Sequence, residues 1–431
     1  MSSYKYLKTN LYNFSCDIFP YHRSLASKGT LETLKYLKKS NSSLKLVKTK
    51  SRKKVFDWII PDEWNVKKAY IIDLKTGKKV LDYKNNNLHI VQYSVAINKK
   101  LSFDQLKKKL FFDKSKPNAI PFVTSYYKRD WGFCLKYNEY KKLKKISYFK
   151  VVIDSSHKKG HMYSGEAFFK GKSKKEILFS SYICHPSMAN NEVSGIVVLN
   201  ALIKYIQTKK NRYYSYRFSL APETIGSINF IKKNLKTLKK NLVAGFNISC
   251  VGDENHFSMV TSKQENSLAD KALYHAIYKK KKFKMYSFLE RGSDERQYCS
   301  PLLNLPYCNF SRSLYGKYNQ YHSSMDNLQF ISQKGLETSL ETLTSIIDIF
   351  ENGIYPKSKF ICEPFLSKYN LYPTNVFKKN SSETNKMLRD FIAYSDGKTS
   401  IFDICNKINA SLDQVREIVK LCKEKKIIDY K

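Results

Sequence analysis

Cys184-His185-Pro186-Ser187-Met188-Ala189-Asn190-Asn191-Glu192-Val193-Ser194-Gly195 lies between a strand-like run, Glu176 to Ile183, and a helical pattern, Ser194 to Gln207. Two other segments share that placement. Pro222-Glu223-Thr224-Ile225-Gly226-Ser227 follows the run Tyr216 to Leu220, and Tyr321-His322-Ser323-Ser324-Met325-Asp326-Asn327 follows the stretch around Leu305 to Phe310. Ligands of open α/β sheets gather outside the carboxyl ends of the strands. Two imidazoles and a carboxylate arriving there from three strands are the donor set of a zinc site. Taken singly, His185, His322 or Glu223 is as readily a capped or surface residue. Their common position after strands, each beside a Gly- or Ser-bearing turn, turns the balance toward a site.

Working outward from these segments, strand and helix patterns alternate from Tyr148 to about Ile354. Strands are expected at Val151 to Ile153, Ile177 to Ile183, Tyr216 to Leu220 and Val243 to Cys250, and helices at Ser194 to Gln207, Ile225 to Leu238 and Ser267 to Tyr278. That alternation predicts an α/β fold with a mostly parallel sheet flanked by helices. Leu31 to Lys39 adds an amphipathic helix. Between Lys54 and Lys145 the texture changes: all three tryptophans fall there, with turn signals at Pro61-Asp62, Thr76-Gly77 and Lys116-Pro117. Alternating runs at Ala69 to Leu74 and Leu88 to Ala96 predict a small β-rich module. The chain therefore reads as an α/β core over 1–53 and 146–355, an inserted module over 54–145, and a separate tail over 382–431. In the tail, helices at Asn385 to Tyr394, Ile401 to Ile408 and Leu412 to Lys423 precede a strand near Lys426 to Asp429. Three helices and a wing make a winged helix-turn-helix.

The 431 residues hold 42% hydrophobic residues, with 32 Tyr and 26 Phe, enough for a substantial core. Met1 to Asn10 has no apolar signal-peptide stretch, and no run of about 18 apolar residues occurs, which argues against a membrane span. Nine scattered cysteines without a CxxC pair fit neither a disulfide framework nor a thiolate zinc finger. The expected compartment is cytoplasmic. A formal charge of +40 invites a nucleic-acid partner, but the lysines are spread along the whole length. The third tail helix offers Gln414, Arg416, Glu417 and Glu424, a mixed face ill suited to base edges. The charge predicts salt-sensitive, non-specific sticking, and neither a nucleic-acid nor a membrane partner is expected.

The segments already quoted, together with Arg291-Gly292-Ser293-Asp294-Glu295-Arg296-Gln297-Tyr298-Cys299-Ser300-Pro301, resemble a family of bacterial aminopeptidase-like proteins often encoded among surface-polysaccharide biosynthesis genes. In the insert, Pro61-Asp62-Glu63-Trp64, Val123-Thr124-Ser125-Tyr126-Tyr127-Lys128-Arg129 and Trp131-Gly132-Phe133-Cys134 match it too. The resemblance implies a zinc-exopeptidase-like (phosphorylase/hydrolase-like) core, the inserted β-rich module and the C-terminal winged helix. The core is also similar to two-zinc aminopeptidases. On that plan His185, Glu223 and His322 fall on metal-ligand positions, but Asn191 replaces the bridging Asp, Pro222 the general-base Glu, and the strand end near Ser249 lacks the second metal's Asp. A neutral amide cannot offset the repulsion of two cations about 3.5–4 Å apart, so a single zinc ion is expected.

One Zn²⁺ on His185, Glu223 and His322 would leave a fourth position for water, whose pKa falls toward about 7. Glu192 is the candidate general base, or else a first-turn carboxylate favoured by the helix dipole. By the resemblance, the loop with Asp294 and Arg296 lines the substrate pocket. There Asp294 would pair with a substrate amine, and Arg296 would hold a carboxylate or orient Asp294; an internal Asp–Arg pair fixing the loop is the alternative. The expected function is a zinc-dependent hydrolase cleaving an amide of a small amine-bearing substrate, a peptide or amino-sugar. The competing reading is a catalytically inactive binding or scaffold protein of a glycan pathway. Any homo-oligomer is expected to form through the winged helix or the insert.

Overall fold

The computed structural model describes residues 10–280, 282–371 and 379–430. They form two compact units, Met1–Asp270 with Lys280–Leu343, and Lys271–Lys279 with Thr344–Lys431. Among the described residues no helix is long and apolar enough to cross a membrane.

The first unit runs through α1 (Leu11–Ile18), α2 (Lys28–Ser40), β1 (Lys45–Lys50), β2 (Glu63–Asp73), β3 (Lys79–Asp82), β4 (Ile97–Ser102), β5 (Tyr148–Lys158), β6 (His161–Phe169) and β7 (Glu176–Tyr182). It continues with α3 (Ser194–Thr208), β8 (Ser215–Ala221), α4 (Ile225–Asn241), β9 (Leu242–Ile248), β10 (Phe257–Val260), β11 (Phe283–Tyr286) and β12 (Tyr307–Ser311). An eight-stranded sheet has the order β1-β6-β8-β7-β9-β12-β10-β11. Its centre, β8-β7-β9-β12, is parallel throughout, as βαβ crossovers require. Every residue of β7 is buried, because helices cover both faces of a central parallel strand. Gly195 lets α3 start against the ends of its strands. A Cβ there would lie 2.4 Å from the Ser181 hydroxyl and 2.5 Å from the Ile248 carbonyl oxygen.

A second sheet, β3-β2-β5-β4, is antiparallel and forms the inserted layer around Trp64, Ile71, Phe133, Phe149 and Val151. Two sequence expectations change here. Val151 to Ile153 belongs to β5 of this small sheet and not to the parallel one, so the insert's sheet draws a strand from beyond residue 145. A lone apolar run carries no record of which sheet it joins. Leu88 to Ala96 is not a strand: its amides bond singly to the carbonyls of Gly132, Val123 and Asp130, and Tyr93 has φ 65.

The second unit contains β13 (Pro356–Ser358), α5 (Lys379–Ala393), α6 (Ile401–Lys407), α7 (Leu412–Glu424) and β14 (Ile428–Tyr430). Ser400 and Ser411 cap α6 and α7, the latter in a full capping box with Gln414. Leu412, Val415, Ile418, Val419 and Cys422 form the buried stripe of α7. The wing strand β14 pairs with β13, so the domain also uses chain ahead of residue 382.

Candidate metal centre

Three turns at one edge of the parallel sheet supply the side chains. After β7 the chain passes Cys184 and His185 and makes a π-helical turn, Ala189–Val193, before α3 begins. After β8, Thr224 adopts φ 65 and ψ −79 while the Ile225 amide bonds to the Glu223 carbonyl at 2.8 Å. This is a γ-turn of the strained hand, which clusters at functional sites and costs about 1–3 kcal/mol. Beyond β12, His322 has φ 52, and the insert clasps its turn: Phe122 donates to the His322 carbonyl and Ser324 to the Ile120 carbonyl, both at 2.9 Å.

His185, Glu223 and His322 line one cavity of about 410 Å³, together with Trp58, Phe122 and Tyr126 of the insert. His185 Nε2 lies 3.9 Å from Glu223 Oε2, and the two imidazole rings are 5.4 Å apart at their centroids. Phe122 packs on both rings, at 5.1 and 5.2 Å, and Tyr321 stacks on His322 at 3.9 Å. Ser293 donates to the other Glu223 oxygen at 2.7 Å. His322 Nε2 is buried without a hydrogen-bond partner. A buried unpaired nitrogen costs about 1–3 kcal/mol, and a cation shared with His185 and Glu223 would satisfy it. These residues therefore fit a zinc ion.

Electrostatics support neutral imidazole at His322. Burial, followed by the neighbouring His185, pushes its pKa down to about 3. Burial alone would lower His185 as well, but the bond and charge of Glu192, joined by Glu223, raise it on balance. Glu223 is raised by burial against the attraction of His185 and the Ser293 bond.

A second trio of donor atoms, from Cys184, His185 and Glu192, comes within 4.8 Å of one another. Its donors are already committed. Glu192 is wholly buried and takes hydrogen bonds from Arg23 Nε, from the amides of Cys184 and His185, and from His185 Nδ1 at 3.2 Å. The Cys184 thiol accepts the Glu223 amide at 3.2 Å, and burial holds it protonated.

These contacts place three of the expected site residues. Glu192 is not among the residues lining the cavity; it bonds to Arg23, to the amides of Cys184 and His185 and to His185 Nδ1. Each Asp294 oxygen already takes a hydrogen bond within the protein: Thr224 N donates to one at 2.7 Å and Ser227 Oγ to the other at 2.6 Å. Burial, then the charge of Glu223, pushes Asp294 up to about 7. Arg296 does not orient Asp294; it bonds to the Ser293 carbonyl at 2.9 Å and to Thr224 Oγ1 at 3.2 Å, with its side chain exposed. Sequence reading missed Arg23, Phe122 and Asp326. Arg23 is a buried arginine with no motif around it, and only its remote partner Glu192 marks it.

A model of the family described as "Domain of unknown function (DUF4910)" matches residues 12–353. The chain belongs to the DUF4910 family. A winged helix-turn-helix model matches residues 354–430 of this DUF4910 chain. A curated protein of Clostridium acetobutylicum, named for polysaccharide biosynthesis with an aminopeptidase-like domain, is 37% identical over 94% of this chain and 93% of its own. A crystal structure from the same organism, described as a peptidase, is 34% identical over 99% and 98% of the two chains, with a TM-score of 0.89. The zinc aminopeptidase BSAP of Bacillus subtilis, 12% identical over 80% and 94%, has a TM-score of 0.58 and shares the fold. The DUF4910 core is thus an aminopeptidase-like α/β fold followed by a winged helix.

Proposed function

We propose that this DUF4910 chain is a zinc-dependent hydrolase that cleaves an amide of a small amine-bearing peptide or amino-sugar, in surface-polysaccharide metabolism. The observation that carries it is the buried, unpaired Nε2 of His322 in the same cavity as His185 and Glu223. Those three residues would hold one ion, which when bound supplies a Lewis acid and lowers the pKa of water. Glu192 holds His185 through Nδ1 and so turns Nε2 toward the cavity. Phe122 and Trp58 keep bulk water from the ligand side chains. Tyr126 also lines the cavity, and burial keeps its hydroxyl protonated, a donor for a substrate oxygen. Arg296, exposed and bonded to the Thr224 turn, is the cation we assign to a substrate carboxylate. Nine free cysteines support a reducing, cytoplasmic setting, and any homo-oligomer would use the winged helix or the insert.

A second reading, a non-catalytic binding protein of a glycan pathway, draws on one observation. Glu223 is the sole carboxylate among the described residues lining the cavity, and Pro222 stands where a base would sit. Metal content of the full chain, purified without added zinc, separates the two. About one equivalent, with aminopeptidase activity lost in His322→Ala, supports the hydrolase. No zinc, with none gained on addition, supports the binding protein.

A further inference from the structure

A second cavity, of about 400 Å³, adjoins the first, and Trp58 belongs to the wall of both. The floor is α4. Ile225 faces the histidine cavity, while Ile228, Ile231, Leu235 and Lys239 continue along the helix into the second. At 1.5 Å per residue, that stripe extends about 20 Å from the Glu223 turn. One wall is the hairpin of Lys54–Val55 and Trp58–Ile59, which Lys232 Nζ ties to α4 by donating to the Lys54 carbonyl at 3.1 Å. The other wall is the loop carrying Leu302 and Leu303.

This groove exposes a large apolar surface. Leu302 is 92% exposed, Phe56 47% and Trp58 38%. A contiguous apolar patch beside a polar cavity marks a binding surface. We propose that it is a subsite for an extended alkyl or acyl chain belonging to the substrate whose amide end occupies the histidine cavity. The proposal rests on reading that cavity as a substrate site. Trp58, common to both linings, and the stripe on α4 set the two cavities side by side, which places an alkyl chain in the second when the amide end lies in the first. Asp57, Lys239, Gln297 and Ser300 also line the groove, but Phe56, Trp58, Ile228, Ile231, Leu235, Leu302 and Leu303 are the majority. Polar groups laid along that apolar track would lose hydration without gaining partners there, so an alkyl chain is the occupant that fits it.

The test is calorimetric titration of the zinc-supplemented full chain with N-acetylglycine and N-decanoylglycine. Each buried methylene is worth about fourfold in binding, so the decanoyl probe is expected to bind at least about tenfold tighter. Leu302→Asp and Phe56→Asp, both at exposed positions, are expected to erase that gap and to leave N-acetylglycine binding unchanged. Circular dichroism confirms that each variant is folded. Equal affinity for the two probes, binding of neither, or a gap that survives both substitutions overturns the subsite. Concentration-dependent dimerisation lost in Leu302→Asp also overturns it and assigns the groove to a second copy of the chain. Decanoyl binding that depends on Leu302, in a protein that takes up no zinc, retains the groove and removes the hydrolase reading.

Discussion

The buried Asp326 carboxylate accepts the backbone N–H of Asn191 at 2.9 Å, while its second oxygen takes that of Asn190 at 2.6 Å. Asp326 follows His322 by four residues, and the two asparagines follow His185. One side chain thereby locks together the two turns that carry the histidines. Asp326→Ala should leave two buried amides unpaired and cost about 1–3 kcal/mol for each. Urea unfolding measures the loss, and a change within error would show that the turns are held by other contacts.

The same carboxylate has a defined pH response. Burial outweighs its hydrogen bonds and pushes Asp326 up to about 6, above its ordinary value of 3.8. The folded state therefore binds a proton that the unfolded chain has released between these values. Its contribution to stability is full below the lower value and falls as pH rises through the upper one. The cost of Asp326→Asn should accordingly be greater at pH 4 than at pH 7. Equal costs at both would place the titration elsewhere.

Arg23 and Glu192 form a wholly buried ion pair. Removing one partner strands a charge, so Arg23→Met should destabilise the fold by about 3–5 kcal/mol. Glu192→Gln keeps the shape but weakens the hold on His185 Nδ1, and zinc affinity should drop by about 10–100-fold. Competition with a chelator reads the affinity. Unaltered zinc binding in a folded Glu192→Gln protein would remove its positioning role.

Metal stoichiometry should be one. His185→Ala, His322→Ala and Glu223→Gln are each expected to lose the ion by elemental analysis. Asn191→Asp should not recruit a second, because Ser249 stands at the end of β9, bonded to Asn309 at 3.3 Å, where another carboxylate would be required. Two equivalents per chain in Asn191→Asp would defeat the single-metal reading.

DNA binding by the intact chain should be weak, indifferent to sequence and steeply reduced by salt, since diffuse lysines act through counterion release. Around α7, Asp413 and Glu417 alternate with Arg416, Lys420 and Lys423, which gives no uniform cationic face. Sequence-specific binding that persists as salt is raised, seen by fluorescence anisotropy, would instead make this a regulator.

The parallel sheet was legible because β7 to β9 are short apolar runs punctuated by turn residues, and local periodicity alone reports them. His185, Glu223 and His322 were legible by their place after such runs. The winged helix likewise announced itself in the spacing of Leu412, Val415, Ile418 and Cys422. What each polar side chain does was not legible, because a hydrogen bond between distant residues leaves no local pattern. Glu192 and Asp294 had the right chemistry for a pocket, yet Arg23 and Ser227, reached only through the fold, occupy their oxygens. Sequence alone determined the central strands and helices of the parallel sheet and the turns that follow them, since backbone pattern and burial are local. Which sheet Val151 to Ile153 joins, and that Leu88 to Ala96 forms no strand, was decided by packing. Tertiary packing alone decided that Phe122, Trp58 and Tyr126 of the insert enclose those turns, because that closure is a contact between segments far apart in the chain.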